Sequence, residues 1–154
     1  SSDLALSEQG VSNPDLAEEC AAAYRQIRRS FHAIKPEIVP VLQELKGHYR
    51  IGLVTNGPSD LQSDKLEHTG LGSYFDAVAI SGALRKGKPE PDVFEDILGR
   101  LHATPLEAVM VGDNPPNDGY AVLEGIRTLL LPLPDPSAGP QDRRLVDALA
   151  LLPG

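Results

Sequence analysis

The spacing of the hydrophobic residues alternates between a helical and a strand period along the chain. A first helix is predicted from Asn13-Pro14, a cap followed by proline at the first helical position, to about Phe31. Short continuous apolar runs predict strands at 51–54, 75–80, 108–111 and 126–131. Further helices are predicted from Pro36 to about Leu45, at about 59–68, from Pro91, from Pro115 or Pro116 to about Gly125, and over 142–152.

The order of these elements indicates the fold class. Strands that alternate with helices predict an α/β domain with a parallel sheet. The strands are continuous apolar runs, as in sheets whose two faces are both covered by helices. The chain is therefore predicted to form a Rossmann-like, three-layer α/β domain, with a loop at 82–90 and a Pro/Gly-rich linker at 132–141.

Composition narrows the possible partners. The net charge of −8 and the pI near 4.9 disfavour nucleic acid, because phosphate backbones need a basic surface. A small phosphorylated substrate stays possible, since a bound cation reverses the local field. Cys20 is the single cysteine, so a cytoplasmic location is expected, and its Ala-rich surroundings predict a small buried residue. No apolar run approaches about 18 residues, so no membrane partner is expected, and nothing predicts the oligomeric state.

The residues that follow the predicted strands carry the candidate chemistry, because ligands of open α/β sheets bind outside the carboxyl ends of the strands. Thr55-Asn56-Gly57 follows the first strand, Lys88 lies in the loop after the second, and Asp113 and Asp118 follow the third. A hydroxyl and neighbouring backbone N–H groups hold phosphate oxygens, and a lysine adds a compact positive charge. Two carboxylates suit Mg²⁺.

Each of these segments also has an ordinary interpretation. A lone Thr-Asn-Gly is usually a turn, and a lysine between glycine and proline is usually a solvated loop charge. Asp113 and Asp118 are also compatible with a turn followed by an acidic helix start. The three segments stand in this order, each after a strand of one sheet, and this combination favours phosphoryl transfer over the separate interpretations.

Three segments resemble the second, third and fourth motifs of the haloacid dehalogenase-like (HAD-like) hydrolases: LVTNG at 53–57, GKPEPDVF at 87–94 and VMVGDNPPND at 109–118. The resemblance covers roughly residues 35–131. It implies that Thr55 and Asn56, with Gly57 beside them, bind the phosphoryl group, and that Lys88 steadies the nucleophile and the phosphate. Thr55 and Lys88 are then the catalytic candidates. It further implies that Asp113 and Asp118 organise Mg²⁺ as the cofactor.

The first motif of that family, a strand ending in Asp-x-Asp, has no counterpart in this sequence. Asp3, Asp15 and Asp60 each lack the preceding strand or the second aspartate. The resemblance places the absent strand at the centre of the sheet, so strands 51–54 and 108–111 are expected to lack a neighbour. We expect an upstream segment in the natural protein. Residues 1–33 are interpreted as the end of a helical cap and its return to the core, and residues 34–154 as a HAD-like core without its first strand.

The resemblance therefore implies a capped, Mg²⁺-dependent phosphatase for a small phosphorylated metabolite. It would act through an aspartyl-phosphate whose nucleophile is not in this chain, so the chain alone is expected to be inactive. One alternative is a 2-haloacid dehalogenase-like hydrolase, which needs no metal; Asp113 and Asp118 favour the phosphatase. The other is a non-catalytic relative that binds a phosphorylated ligand or a partner protein. A response-regulator receiver is disfavoured, because no early strand ends in an aspartate.

Overall fold

The computed structural model describes residues 13–31, 34, 36–84, 87–132, 143–149 and 151–152. The chain divides into two compact units, residues 1–33 and 34–154. Parts of the predicted linker and of the last predicted helix lie outside the described residues. None of the described helices is both long enough and apolar enough to cross a membrane.

The first unit contains helix α1, Pro14–Phe31. It begins where the sequence predicts, with Asn13 Oδ1 accepting a hydrogen bond from the N–H of Leu16 at 3.2 Å. The prediction of a buried Cys20 is wrong, because Cys20 is exposed. Among the residues of this helix whose exposure is described, only Ala17 is buried, so the helix offers no extended buried face on which Cys20 could lie.

The second unit alternates helices and strands, which confirms the predicted α/β class. Its order is α2 (Ile38–His48), β1 (Gly52–Thr55), α3 (Ser59–Thr69), β2 (Ala77–Ile80), α4 (Pro91–Leu101), β3 (Val109–Gly112), α5 (Pro115–Asp118), β4 (Arg127–Leu130) and α6 (Arg144–Leu149). Short 3₁₀ turns lie at Leu71–Tyr74, Ser81–Ala83, Pro105–Glu107 and Gly119–Glu124.

The four strands form two parallel pairs. β1 pairs with β2 in a register that sets Thr55 opposite Ile80, and β3 pairs with β4 with Gly112 opposite Leu130. Within the described ranges no strand joins β1 to β3. In the described part of the chain β1 and β3 each have one partner strand, and the expectation that a central strand is missing from the sheet stays a prediction.

Helix α4 provides the core that connects the two strand pairs. Its residues Val93, Phe94, Ile97 and Leu98 are buried, in one cluster with Ala77 and Ala79 of β2 and with Ala121 and Ile126 near β4. Val54 and Met110 pack against this cluster from β1 and β3. A Cβ on Gly52 would lie 2.9 Å from both Ile97 and Leu101, so the absence of a side chain lets α4 lie directly on β1.

The predicted helix from Pro115 or Pro116 to about Gly125 is only partly correct. The α-helix ends at Asp118, and a 3₁₀ turn, Gly119–Glu124, follows it. Gly119, a poor helix former, stands where the α-helix gives way to the 3₁₀ turn, and such turns are frequent at α-helix ends. Gly125 then closes the segment with φ 79°. The second strand is also shorter than predicted, beginning at Ala77 rather than at residue 75.

A capping box before β3 makes part of the stability depend on pH. Glu107 Oε2 accepts hydrogen bonds from the Thr104 hydroxyl at 2.7 Å and the Thr104 N–H at 2.9 Å, and these bonds lower the pKa of Glu107. Because the pKa of Glu107 is lower in the folded than in the unfolded chain, the ionised carboxylate stabilises the fold at pH values above its unfolded pKa of about 4.3. This stabilisation is lost as the pH falls through the lowered pKa of the folded protein.

We expect Glu107→Gln to lower the free energy of unfolding near pH 7. The difference in that free energy between the variant and the unmodified protein should shrink on acidification. Urea unfolding at several pH values checks this, with Glu95→Gln, on an exposed position of α4, as the control.

Candidate active site

A buried ion pair connects the loop after β2 with the helix after β3. The Lys88 ammonium group contacts Asp118 Oδ1, and the two side chains are 12% and 4% exposed. Asp118 is the only buried polar or charged residue in the part of the chain that the structure describes. A buried carboxylate needs a partner because the desolvation of an isolated ion costs several kcal/mol. The pair therefore holds a cation and an anion at one place beside the strand ends.

The position of Asp118 depends on a close approach to the end of β3. A Cβ on Gly112 would lie 2.6 Å from Asp118 Cβ, and closer still to its Cγ and Oδ2. The backbone N–H of Asn114 donates to Asp118 Oδ2 at 3.0 Å. Asn114 Oδ1 also caps α5 by accepting from the N–H of Asn117 at 3.2 Å. Both oxygens of Asp118 are thus held, one by Lys88 and the other by the turn that begins α5.

Asn56 links the end of β1 to the same lysine. Its Nδ2 donates to the Lys88 carbonyl at 2.8 Å, and its Oδ1 accepts from the Lys88 N–H at 2.9 Å. The Asn56 backbone carbonyl accepts from Gln62 Nε2, on α3, at 3.1 Å. The Lys88-Pro89 peptide bond is cis. These contacts join β1, α3 and the Lys88 loop.

Ser81 closes the turn that follows β1. The Gly57 N–H donates to Ser81 Oγ at 2.9 Å, and the Gly57 carbonyl accepts from the N–H of Gly82 at 3.0 Å. Gly57 has φ 135°, a conformation that side chains rarely adopt. A Cβ on Gly87 would lie 2.7 Å from Asn56 Oδ1 and would also meet the Ser81 side chain. The turn and the Lys88 loop therefore pack against each other with no room for larger residues.

The predicted site residues fall into two groups. Hydrogen bonds and the ion pair connect Asn56, Lys88 and Asp118 in one network, with Gly57 at its edge. Thr55 ends β1 beside Asn56, and Asp113 is exposed directly after β3. No group of three His, Cys, Asp or Glu side chains within the described ranges is arranged to hold a metal ion. The hydrogen bonds and the ion pair thus assemble the lysine side of the site, whereas Asp113 follows β3 outside that network.

The chemistry of this donor set fits phosphate and Mg²⁺. A lysine ammonium and a threonine hydroxyl are groups that hold phosphoryl oxygens. Mg²⁺ is usually bound through one or two carboxylates, with waters and substrate phosphates completing its shell. Asp113 and Asp118 provide that number of hard oxygen ligands. The types of donor in these segments therefore suit Mg²⁺ and a phosphorylated substrate, although in this structure both oxygens of Asp118 are engaged by Lys88 and the Asn114 N–H.

Sequence reasoning missed several residues that build the site. Gly112 and Gly87 provide the space for Asp118 and Asn56, Asn114 holds Asp118, and Ser81 holds the turn at Gly57. The asparagine before two prolines carried a recognisable signal, since Asn is a preferred cap and proline a preferred first helical residue. Ser81 carried none, because its contact depends on how two loops meet.

Comparisons with known proteins show the family to which the chain belongs. Residues 5–121 match the family profile described as haloacid dehalogenase-like hydrolase. The chain is 39% identical over 145 residues to a phosphoserine phosphatase of Thermus thermophilus, covering 90% of this chain and 57% of that protein. It is 36% identical over 104 residues to the human N-acylneuraminate-9-phosphatase, covering 68% and 42%. The chain thus spans about half the length of these curated relatives.

Solved structures show the same fold. The crystal structure of a HAD phosphatase from Thermococcus onnurineus superimposes with a TM-score of 0.64 at 34% sequence identity, covering 70% of this chain and 52% of that one. This likeness agrees with the α/β class of the second unit. With the family profile spanning most of the sequence, this chain belongs to the haloacid dehalogenase-like hydrolase family.

Proposed function

We propose that the protein is a Mg²⁺-dependent phosphatase that hydrolyses a small phosphorylated metabolite through an aspartyl-phosphate. The observation that carries the proposal is the network in which Asn56 holds Lys88 and Lys88 meets the buried Asp118. This network lies beside Thr55 and Asp113, whose hydroxyl and carboxylate complete a set suited to phosphate and metal. Relatives that are 36–39% identical to the chain are phosphatases, which supports the same assignment.

Each residue has a distinct task in this proposal. The Lys88 ammonium group offsets negative charge on the phosphoryl oxygens and on the nucleophile. The Thr55 hydroxyl donates a hydrogen bond to a phosphoryl oxygen, at the turn that Gly57 and Ser81 keep in shape. Asp113 and Asp118 would hold Mg²⁺, which when bound neutralises charge on the phosphoryl group and orients it for in-line attack.

The nucleophile of the proposed reaction comes from the family's first motif. We place its strand between β1 and β3, since neither has a second partner strand within the described ranges. A carboxylate oxygen of the first aspartate forms a bond to phosphorus while the P–O ester bond breaks, and the second aspartate protonates the departing oxygen. Water then hydrolyses the aspartyl-phosphate and regenerates the carboxylate.

The relatives indicate the general class of the substrate but not its identity. Their names specify different phosphomonoesters, phosphoserine for one and an N-acylneuraminate 9-phosphate for the other. We therefore propose a small phosphomonoester as the substrate. We also propose that the protein is cytoplasmic. Residues 1–33 are proposed to be the end of a cap, which in this class of enzyme covers the site and excludes water.

The test begins with the intact mass of the protein as its host makes it, so that the assayed species is known. That protein is then incubated with a panel of phosphomonoesters that includes phosphoserine, with Mg²⁺ and after removal of metal by a chelator. We expect phosphate release that requires Mg²⁺. In the same assay Asp113→Asn should weaken the apparent Mg²⁺ affinity by at least roughly 10-fold, the loss seen when even an outer partner of a ligand is removed.

Other results would identify the alternatives. Metal-independent release of halide from a 2-haloalkanoate, without phosphate release, would identify a dehalogenase-like hydrolase. Saturable binding of a phosphomonoester with no turnover, in a protein that contains an Asp-x-Asp strand, would identify a binding relative. Asp147→Asn serves as the matched control for Asp113→Asn, because Asp147 is an exposed aspartate of α6 whose carboxylate pairs with Arg143, just before that helix.

A further inference from the structure

The side-chain amide of Asn56 is engaged by contacts within the protein, through both its nitrogen and its oxygen. Its two polar atoms meet the two backbone polar groups of Lys88, with Nδ2 donating to the carbonyl at 2.8 Å and Oδ1 accepting from the N–H at 2.9 Å. Lys88 is 32 residues away in sequence. A planar amide that pairs with both groups of one residue fixes the position and the orientation of that residue's backbone.

The support behind Asn56 is also rigid. Its own carbonyl accepts from Gln62 Nε2 at 3.1 Å, so the start of α3 fixes the asparagine backbone. Gly87 lies so close that a Cβ there would be 2.7 Å from Asn56 Oδ1. The asparagine therefore has little freedom to turn its amide away from Lys88.

The ammonium group of Lys88 shows why a fixed backbone at this residue is important. The ammonium group contacts Asp118, which is itself held by Asn114 and packed on Gly112. A lysine side chain has about 2 kcal/mol of rotamer entropy to lose when it is held in one geometry. Fixing the backbone at Lys88 reduces the range of positions from which the ammonium can reach its partner.

We infer that Asn56 is a positioning residue that sets the Lys88 ammonium in the site through a two-point clamp on the Lys88 backbone. Its side-chain amide does not bind the phosphoryl group, in contrast to the role that the family resemblance implies for it. Asparagine suits the clamp because it offers one donor and one acceptor at this length. Aspartate offers two acceptors, one of which faces the Lys88 carbonyl, and alanine offers neither group. The inference rests on the proposed function for its catalytic consequence, but the clamp itself does not.

A double-mutant cycle on the protein as its host makes it tests the catalytic part. We expect Asn56→Ala to lower kcat/KM by about 10²-fold, as a displacement near 1 Å does. In the Lys88→Met background the same substitution should lower kcat/KM by about threefold or less, since its effect passes through Lys88. Such coupling is typical of contacting residues, whereas independent sites give effects that multiply. A multiplied effect would mean that Asn56 contacts the substrate directly, which would overturn the inference.

Backbone hydrogen exchange tests the clamp without reference to activity. The Lys88 N–H, which donates to Asn56 Oδ1, should exchange slowly in the unmodified protein and much faster in Asn56→Ala, by more than the change in the free energy of unfolding accounts for. Urea unfolding of each variant shows whether the change is local. An unchanged exchange rate in Asn56→Ala would overturn the clamp even in an active enzyme. A protein with the expected exchange pattern and no phosphatase activity would refute the proposed function and leave the clamp in place.

Discussion

Replacing Lys88 with methionine is expected to destabilise the fold by about 3–5 kcal/mol and to lower kcat by roughly 10²–10³-fold. The stability loss arises because the carboxylate of Asp118, a residue 3% exposed, loses the cation that compensates it. The activity loss has the size expected when one preorganised charge-stabilising group is removed from a site of this kind. Urea unfolding at neutral pH measures the first effect, and phosphomonoester turnover measures the second.

Two further variants separate the causes. Lys88→Met combined with Asp118→Asn removes both charges and keeps an oxygen that can accept from the Asn114 N–H, so most of the stability should return while activity stays low. Arg143→Met breaks an ion pair whose side chains are 60% and 67% exposed, and it should change the free energy of unfolding by less than about 1 kcal/mol. If Lys88→Met were no more destabilising than Arg143→Met, the Lys88–Asp118 pair would not be a buried pair in solution.

The fold class was predictable because the apolar runs of the strands and the helical periods between them each reflect burial on a sheet or on one helix face. The runs at 51–54 and 108–111 correspond to β1 and β3 within one or two residues. The end of α5 was not predictable from the same pattern. Hydrophobic spacing does not separate an α-helix from a following 3₁₀ turn, and the change occurs at Asp118, where the side chain contacts Lys88 and the Asn114 N–H.

The chemical types at the site were predictable, but the contacts among them were not. Thr55, Lys88 and Asp118 attract attention because each follows a strand of a parallel sheet, where ligands bind. The pairing of Asn56 with the Lys88 backbone depends on how two loops meet, and no local pattern reports that. The resemblance implies that Asn56 binds the phosphoryl group, and the hydrogen bonds of its amide to the Lys88 backbone are the basis of the different role that we propose.

Gly112→Ala is expected to lower kcat/KM by about 10²-fold although residue 112 carries no functional group. The new Cβ would lie 2.6 Å from Asp118 Cβ, far inside normal contact, and closer to its carboxylate. Asp118 cannot yield easily, because its own N–H donates to the Asn114 carbonyl at 2.7 Å and its carboxylate is held by Lys88 and Asn114. A displacement near 1 Å at a catalytic group commonly lowers the rate by this factor. Kinetics with a phosphomonoester and Mg²⁺ measure it.

The same substitution should lower the free energy of unfolding by about 1–3 kcal/mol, the range for overpacking in a filled space. Gly99→Ala is the matched control, since Gly99 lies in α4 and a Cβ added there would meet nothing within 4 Å; alanine at this position should stabilise the helix by about 0.5–1 kcal/mol. Gly119→Ala is a nearer control, because its Cβ would meet only Leu130 Cδ1 at 3.7 Å. Full activity in Gly112→Ala would show that the site tolerates a shifted Asp118.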